Sequence, residues 1–124
     1  MQDNITNKPS VVIDFPNNLI RIHKKTIISI GSPENILLII NPDKLTFGIV
    51  GCTKGIHGSH RIHYKRTHCY ELYSKAFINA LKMSFPYWDD TKSYRMTGDY
   101  IYKERIARFN LANSVLLKSK EVEF

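Results

Sequence analysis

Apolar residues in this chain occur in short runs separated by prolines, glycines and asparagines, a pattern typical of a small protein built mainly from strands. Residues 11–15 and 19–22 flank the turn-forming Pro16, Asn17 and Asn18, which predicts a hairpin. From residue 23 to residue 30 the isoleucines fall on one side of a short helix, and Gly31 marks its end. The N-terminal quarter is therefore expected to form two strands and a short helix.

The next segment contains the most apolar run of the chain. Residues 36–40 are consecutive branched aliphatics, the pattern of a strand that is covered on both faces, so we expect this strand at the centre of the sheet. Residues 41–44 fit a type I turn with Pro42 in its second position, and apolar residues then alternate from Leu45 to Ile49. A second hairpin is predicted here, with a further strand at residues 60–65.

A longer helix is predicted from residue 69 to residue 85, ended by Pro86. Its apolar positions follow the spacing of one helix face: Cys69, Leu72, Tyr73, Ala76, Phe77, Ala80 and Leu81. Residues 94–102, 105–111 and 115–117 predict further strands. The expected fold is a single compact α+β domain over residues 11–118, mostly antiparallel sheet with one short and one long helix (β-β-α-β-β-β-α-β-β), and with flexible tails at 1–10 and 119–124.

The composition places this domain among soluble globular proteins. A chain of 124 residues with 43% hydrophobic residues can bury a core without disulfides. No apolar run approaches the roughly 18 to 20 residues of a membrane span, and the polar start through Pro9 lacks a secretory signal. We therefore expect a cytoplasmic protein with reduced cysteines and no membrane partner.

The charge distribution is the first indication of a partner. The formal net charge is +7, which favours polyanions such as nucleic acid or a nucleotide. Between Asp43 and Glu71 no acidic residue occurs, and residues 52–69 hold both cysteines and four of the five histidines. This stretch suggests either an anion or a metal as its ligand.

The anion interpretation uses a strand with cations on one face. Arg61, His63 and Lys65 alternate along the predicted strand, while Gly55 and Gly58 allow backbone amides to approach a phosphate. The predicted phosphate-binding residues are Arg61, His63, Lys65, Arg66, His60, Lys24, Lys25, Arg21 and Arg95. The predicted base-stacking residues are Tyr64, Trp88 and Tyr94.

Metal binding and catalysis are the alternatives to simple anion binding. A metal site would use His57, His60, His68 and Cys69, but the chain lacks a Cys-x-x-Cys pair and the spacing does not form two convergent pairs. A metal-dependent nuclease would combine a histidine with Asp89 or Asp90. We expect no cofactor, no bound metal and no enzymatic activity.

Residues 21–31 resemble a known DNA-binding module. Their sequence, Arg-Ile-His-Lys-Lys-Thr-Ile-Ile-Ser-Ile-Gly, is similar to the Arg-Ile-Pro-Lys-x-x-Arg-x-x-Leu-Gly stretch of AbrB-type swapped-hairpin domains, and the order of elements over residues 11–51 agrees. The resemblance implies a homodimer with interleaved strands whose Arg21, Lys24 and Lys25 face DNA. His23 stands where that family has proline.

These observations predict a small basic binding protein without catalysis. Its ligand would carry phosphate, with nucleic acid foremost, as in a DNA-binding regulator or a protein of a phage or other mobile element. Two alternatives stay open: an anti-defence protein that sequesters a nucleotide-type signal, and a protein-protein inhibitor or adaptor that presents its basic face to a partner.

Overall fold

The computed structural model of the protein describes residues 8–63 and 68–118. The strands are β1 Ser10–Asp14, β2 Leu19–His23, β3 Asn35–Asn41, β4 Thr46–Cys52, β5 His60–Arg61, β6 Cys69–Tyr73, β7 Ser93–Thr97, β8 Asp99–Ile101, β9 Ile106–Asn110 and β10 Val115–Leu117. The helices are α1 Lys24–Ser29 and α2 Lys75–Ser84.

The strands form two antiparallel sheets of five strands each. The first sheet has the order β10-β7-β1-β2-β6 and the second has the order β5-β3-β4-β9-β8. With two helices, one of them longer, this arrangement confirms the predicted α+β class. No helix in the described part of the chain combines the length and apolar character needed to cross a bilayer.

One hydrophobic core joins both sheets and the longer helix. Ile13 and Ile20 contribute from the first sheet, and both are fully buried. From the second sheet, the Phe47 ring stacks on Phe109 at 4.8 Å between centroids and meets the edge of Phe77 on α2 at 5.4 Å. The apolar side chains that alternate along the strands of both sheets therefore face one shared interior.

The chain passes from the first sheet to the second through Gly98, between β7 and β8. A Cβ at this position would overlap the backbone carbonyl oxygen of Arg108 and approach Cδ1 of Phe109 to 2.8 Å. The Gly98 N–H donates to the carbonyl of Pro9 at 3.0 Å. Only glycine allows the backbone to come this close to β9.

The prediction of one helix over residues 69–85 is wrong in its first part. Residues 69–73 form β6, and the helix begins only at Lys75. Ser74 separates the two elements, because its hydroxyl accepts a hydrogen bond from the Phe77 N–H at 3.2 Å and caps the helix. Tyr70 and Leu72 face the core with the two-residue period of a strand.

The prediction that residues 36–40 form the covered centre of a sheet is also wrong. β3 pairs along its whole length with β4, but with β5 only at Asn35 and Ile36. The Ile39 side chain is 51% exposed. The predicted strand exists, yet beyond Ile36 no described strand pairs with this side of it.

Candidate functional site

A cleft of about 430 Å³ lies between an edge strand of each sheet. Arg61, Ile62 and His63, at the end of β5, form one wall, and all five residues of β6 form the other. Consecutive strand residues point to opposite faces of a sheet. A cleft that touches all five must therefore run along the backbone edge of β6.

Hydrogen bonds at both ends of β6 show which backbone groups face this cleft. The Lys24 N–H donates to the His68 carbonyl at 2.9 Å, and the Ser74 N–H donates to the Asn18 carbonyl at 3.1 Å. In an antiparallel pair the bonded residues alternate, so even-numbered residues of β6 bond to β2. The N–H and C=O groups of Glu71 and Tyr73 consequently point away from β2, toward the cleft.

The cleft contains an aromatic side chain that the sequence interpretation missed. Tyr70 is buried in the core, whereas Tyr73 is 71% exposed at the rim. An open tyrosine ring is a surface on which a nucleobase can stack. Assigning residues 69–73 to a helix face concealed this role, while the strand period would have placed Tyr73 outside the core.

Cys69 lines one end of the cleft, and four residues from two chain segments form a basic corner next to it: His23, Lys24, Lys25 and His68. Cys69 pairs in register with His23, and the backbones of Lys24 and His68 are hydrogen bonded. His23 accepts a hydrogen bond from the Lys25 N–H at its Nδ1 atom, at 3.1 Å. Burial lowers the pKa of His23, and the nearby charges of Lys25 and His68 lower it further.

Arg21, predicted as a phosphate ligand, is held by two carboxylates instead. Its guanidinium contacts Asp14 at 3.3 Å and Glu71 at 3.0 Å. Its side chain is 14% exposed and that of Asp14 only 4%. Arg95 lies on β7, with Val12 of β1 between it and Arg21 in the strand register. The structure does not bring Arg95 to the cleft.

Trp88 and Tyr94, predicted to stack on bases, pack against each other and against Phe15. The Trp88 ring lies 4.7 Å from that of Tyr94 and 5.1 Å from that of Phe15, and Trp88 is only 8% exposed. These contacts leave little ring surface open to a ligand. Tyr64, Lys65 and Arg66 lie outside the described residues.

The predicted metal ligands do not form a cluster in the described ranges. His57 lies in the exposed loop between β4 and β5, whereas Cys69 and His68 lie at the first sheet. Within residues 8–63 and 68–118, no group of three His, Cys, Asp or Glu side chains is placed to hold a metal ion. His60 pairs with Ile36 on β3, close to the cleft wall.

The acids considered for a nuclease lie on the other side of the first sheet. Asp89 accepts hydrogen bonds from the Thr91 hydroxyl at 2.6 Å and from its N–H at 2.9 Å, and these bonds lower the pKa of Asp89. Asp90 pairs with Lys82 at 3.7 Å. Both precede β7, which is separated from β6 by β1 and β2, or by about 14 Å of sheet.

The cleft thus combines an exposed tyrosine, an arginine and a histidine with a strand edge that no other described strand pairs with, and it adjoins a basic corner. Such groups can bind an anion or an extended chain by hydrogen bonds and charge. Glu71 is an acidic residue that lines the cleft, but its carboxylate is paired with Arg21. In comparisons with known proteins, no family model, no curated protein and no solved structure matches this chain.

Proposed function

We propose that this protein is a non-enzymatic binding protein for a phosphate-bearing ligand, with single-stranded nucleic acid as its main ligand. The observation that carries the proposal is the position of Arg61 and His63 across one cleft from the exposed ring of Tyr73. A cation for the phosphate and a ring for the base are the two elements of single-strand binding.

The dimensions of the cleft favour a single strand over a duplex. Its volume of about 430 Å³ is within the range of sites that enclose one small ligand. The basic corner adds Lys24 and Lys25 at the end of the cleft where Cys69 lies. Further phosphates of the same nucleic-acid strand could therefore pair with these lysines. A free nucleotide would use Arg61 and Tyr73 but would gain less from the corner.

The backbone edge of β6 favours a second candidate, a protein adaptor. The N–H and C=O groups of Glu71 and Tyr73 can pair with an extended peptide, which would add a strand to the first sheet. The positive charge around the cleft would favour an acidic peptide. This candidate predicts binding through main-chain hydrogen bonds, whereas the nucleic-acid proposal depends on cations and on the tyrosine ring.

Fluorescence anisotropy with labelled single strands of about 12 nucleotides tests the main proposal. A salt series from about 50 to 200 mM should show affinity falling steeply. Replacing both Arg61 and Lys25 with alanine should reduce the slope of log K against log salt by roughly 1.4, because each lost phosphate contact contributes about 0.7. Tyr73→Ser should weaken binding by roughly 5- to 100-fold through lost stacking.

Matched controls are available away from the cleft. A Lys44→Ala, Lys92→Ala double variant removes the same charge in the turn between β3 and β4 and just before β7, and it should leave the salt slope unchanged. Tyr87→Ser, in the loop between α2 and β7, removes a tyrosine that is 82% exposed and should leave affinity unchanged. Equal losses in the controls would show non-specific charge binding. Binding of an acidic extended peptide, with no oligonucleotide binding, would reject the main proposal in favour of the adaptor.

A further inference from the structure

Among the described residues, β3 has an open edge over most of its length. β5 pairs only with Asn35 and Ile36, and no strand in the described ranges pairs with residues 37–41 on that side. Open edges in soluble proteins are usually protected by lysine, proline or a bulge. Residues 37–40 are instead leucine and isoleucine, with no charge and no proline.

The backbone of this segment is oriented for a further strand. The Ile62 N–H donates to the Glu34 carbonyl at 2.9 Å, which fixes the phase of hydrogen bonding between β3 and the chain beside it. By alternation, the N–H and C=O groups of Leu38 and Ile40 point to the open edge. The described residues supply no partner for these groups.

We propose that this edge pairs with β3 of a second copy of the chain, antiparallel about a two-fold axis at Ile39. Leu38 of each copy would then exchange backbone hydrogen bonds with Ile40 of the other copy. Ile39 would lie opposite Ile39 of the second copy at a non-hydrogen-bonded position, where side chains come closest. The second sheet of one copy and the second sheet of the other would then form one continuous sheet.

The side chains of β3 select a second copy as the occupant. Leu38 and Ile40 pack against the core, whereas Ile39, on the other face, is 51% exposed. A partner strand must therefore be uncharged and apolar on both faces, and residues 36–40 of the same chain have this pattern. A strand that is apolar on both faces belongs inside a sheet, and pairing of two copies places it there.

The ends of the paired segment limit the strength of the interface. β5 closes one end at Ile36, and the turn after Asn41 closes the other, so five residues or about 17 Å of each strand can pair. Such an interface is small, so we expect a reversible dimer with a dissociation constant of about 1 to 100 µM.

Sedimentation velocity of the whole chain over a concentration series tests the proposal. The unmodified protein should shift from monomer to dimer, and Ile39→Lys should weaken association at least 10-fold, since like charges would face each other across the axis. Val115→Lys is the matched control, because Val115 is a branched aliphatic on the edge strand β10 and is 60% exposed. Circular dichroism would establish that both variants remain folded.

Amide hydrogen exchange locates the interface independently of these variants. The N–H groups of Leu38 and Ile40 should become protected as the concentration rises, while that of Tyr73 should not. A protein that stays monomeric to about 300 µM contradicts the proposal, because the expected dissociation constant lies below that concentration. A dimer that survives Ile39→Lys, or that is lost equally in Val115→Lys, places the interface elsewhere and also rejects it.

Discussion

Replacing Arg21 with alanine should destabilise the fold rather than remove a ligand contact. Arg21 on β2 lies between Val12 and Glu71 in the strand register, and it contacts the carboxylates of Asp14 and Glu71. Without Arg21, the 2.9 Å bond from Asn17 Nδ2 is the one hydrogen bond that described residues still donate to the Asp14 carboxylate. A carboxylate whose side chain is 4% exposed would then have lost its ion pair with Arg21.

The two ion pairs of Arg21 should contribute unequally to stability. Losing the partner of a buried charge costs about 3 to 5 kcal/mol, and the remaining bond to Asn17 reduces this to about 2 to 4 kcal/mol here. The Glu71 side chain is 44% exposed, so its pair with Arg21 contributes only about 0 to 1 kcal/mol. Arg21→Ala should therefore be several times more destabilising than Glu71→Ala.

Urea denaturation followed by the fluorescence of Trp88, the single tryptophan, measures both variants. With a slope of about 1 to 3 kcal/mol per molar urea, a loss of about 2 to 4 kcal/mol in Arg21→Ala should lower the midpoint by about 0.7 to 4 M. In an Asp14→Asn background the same change should cost at least about 1 kcal/mol less, since no unpaired charge remains. Unchanged stability together with weaker oligonucleotide binding would refute this reasoning and make Arg21 a ligand residue.

Two further changes test the backbone and the basic corner. Gly98→Ala should destabilise the fold by about 3 kcal/mol, because the new methyl group overlaps the Arg108 carbonyl. Gly48→Ala should change stability by no more than about 1 kcal/mol, since its nearest neighbour is a side-chain methyl at 3.4 Å; similar urea midpoints would contradict this contrast. Stability should fall as the pH drops below 6.5, because the lowered pKa of His23 makes the unfolded chain bind protons first. His23→Asn keeps an acceptor for the Lys25 N–H and should make the free energy of unfolding depend less on pH. If this free energy changed equally from pH 7 to pH 5 in the variant and the unmodified protein, His23 would be excluded as the source of the pH dependence.

Local pattern predicted the elements whose stabilising interactions are short in sequence. The strand at residues 11–15, the short helix before Gly31 and the turn at residues 41–44 all occur near their predicted bounds. Each is stabilised by interactions between neighbouring residues. In the turn, for example, the Asn41 Oδ1 atom accepts a hydrogen bond from the Lys44 N–H. The helix boundary at Ser74 was missed, because residues 69–73 fit a helical and a strand period equally well.

The candidate site was predicted in part, since its residues come from separate segments. Arg61 and His63 line the cleft, and Lys24, Lys25 and His68 gather at its end. Tyr73 was missed, because its role depends on β6 being an edge strand. An edge is a property of strand order, which a pattern of residues along the chain does not contain.

The sequence by itself determined the α+β class, the approximate positions of most strands and the excess of positive charge, because these follow from composition and local periodicity. Only the tertiary structure decided which strands are neighbours, and so which side chains are buried. Long-range pairing joined Arg21 to Asp14 and Glu71 and placed β5 beside β6 to form the cleft. It also left one edge of β3 without a partner among the described strands. Such pairings depend on packing between residues distant in sequence, where many strand orders satisfy the same alternation of apolar and polar residues.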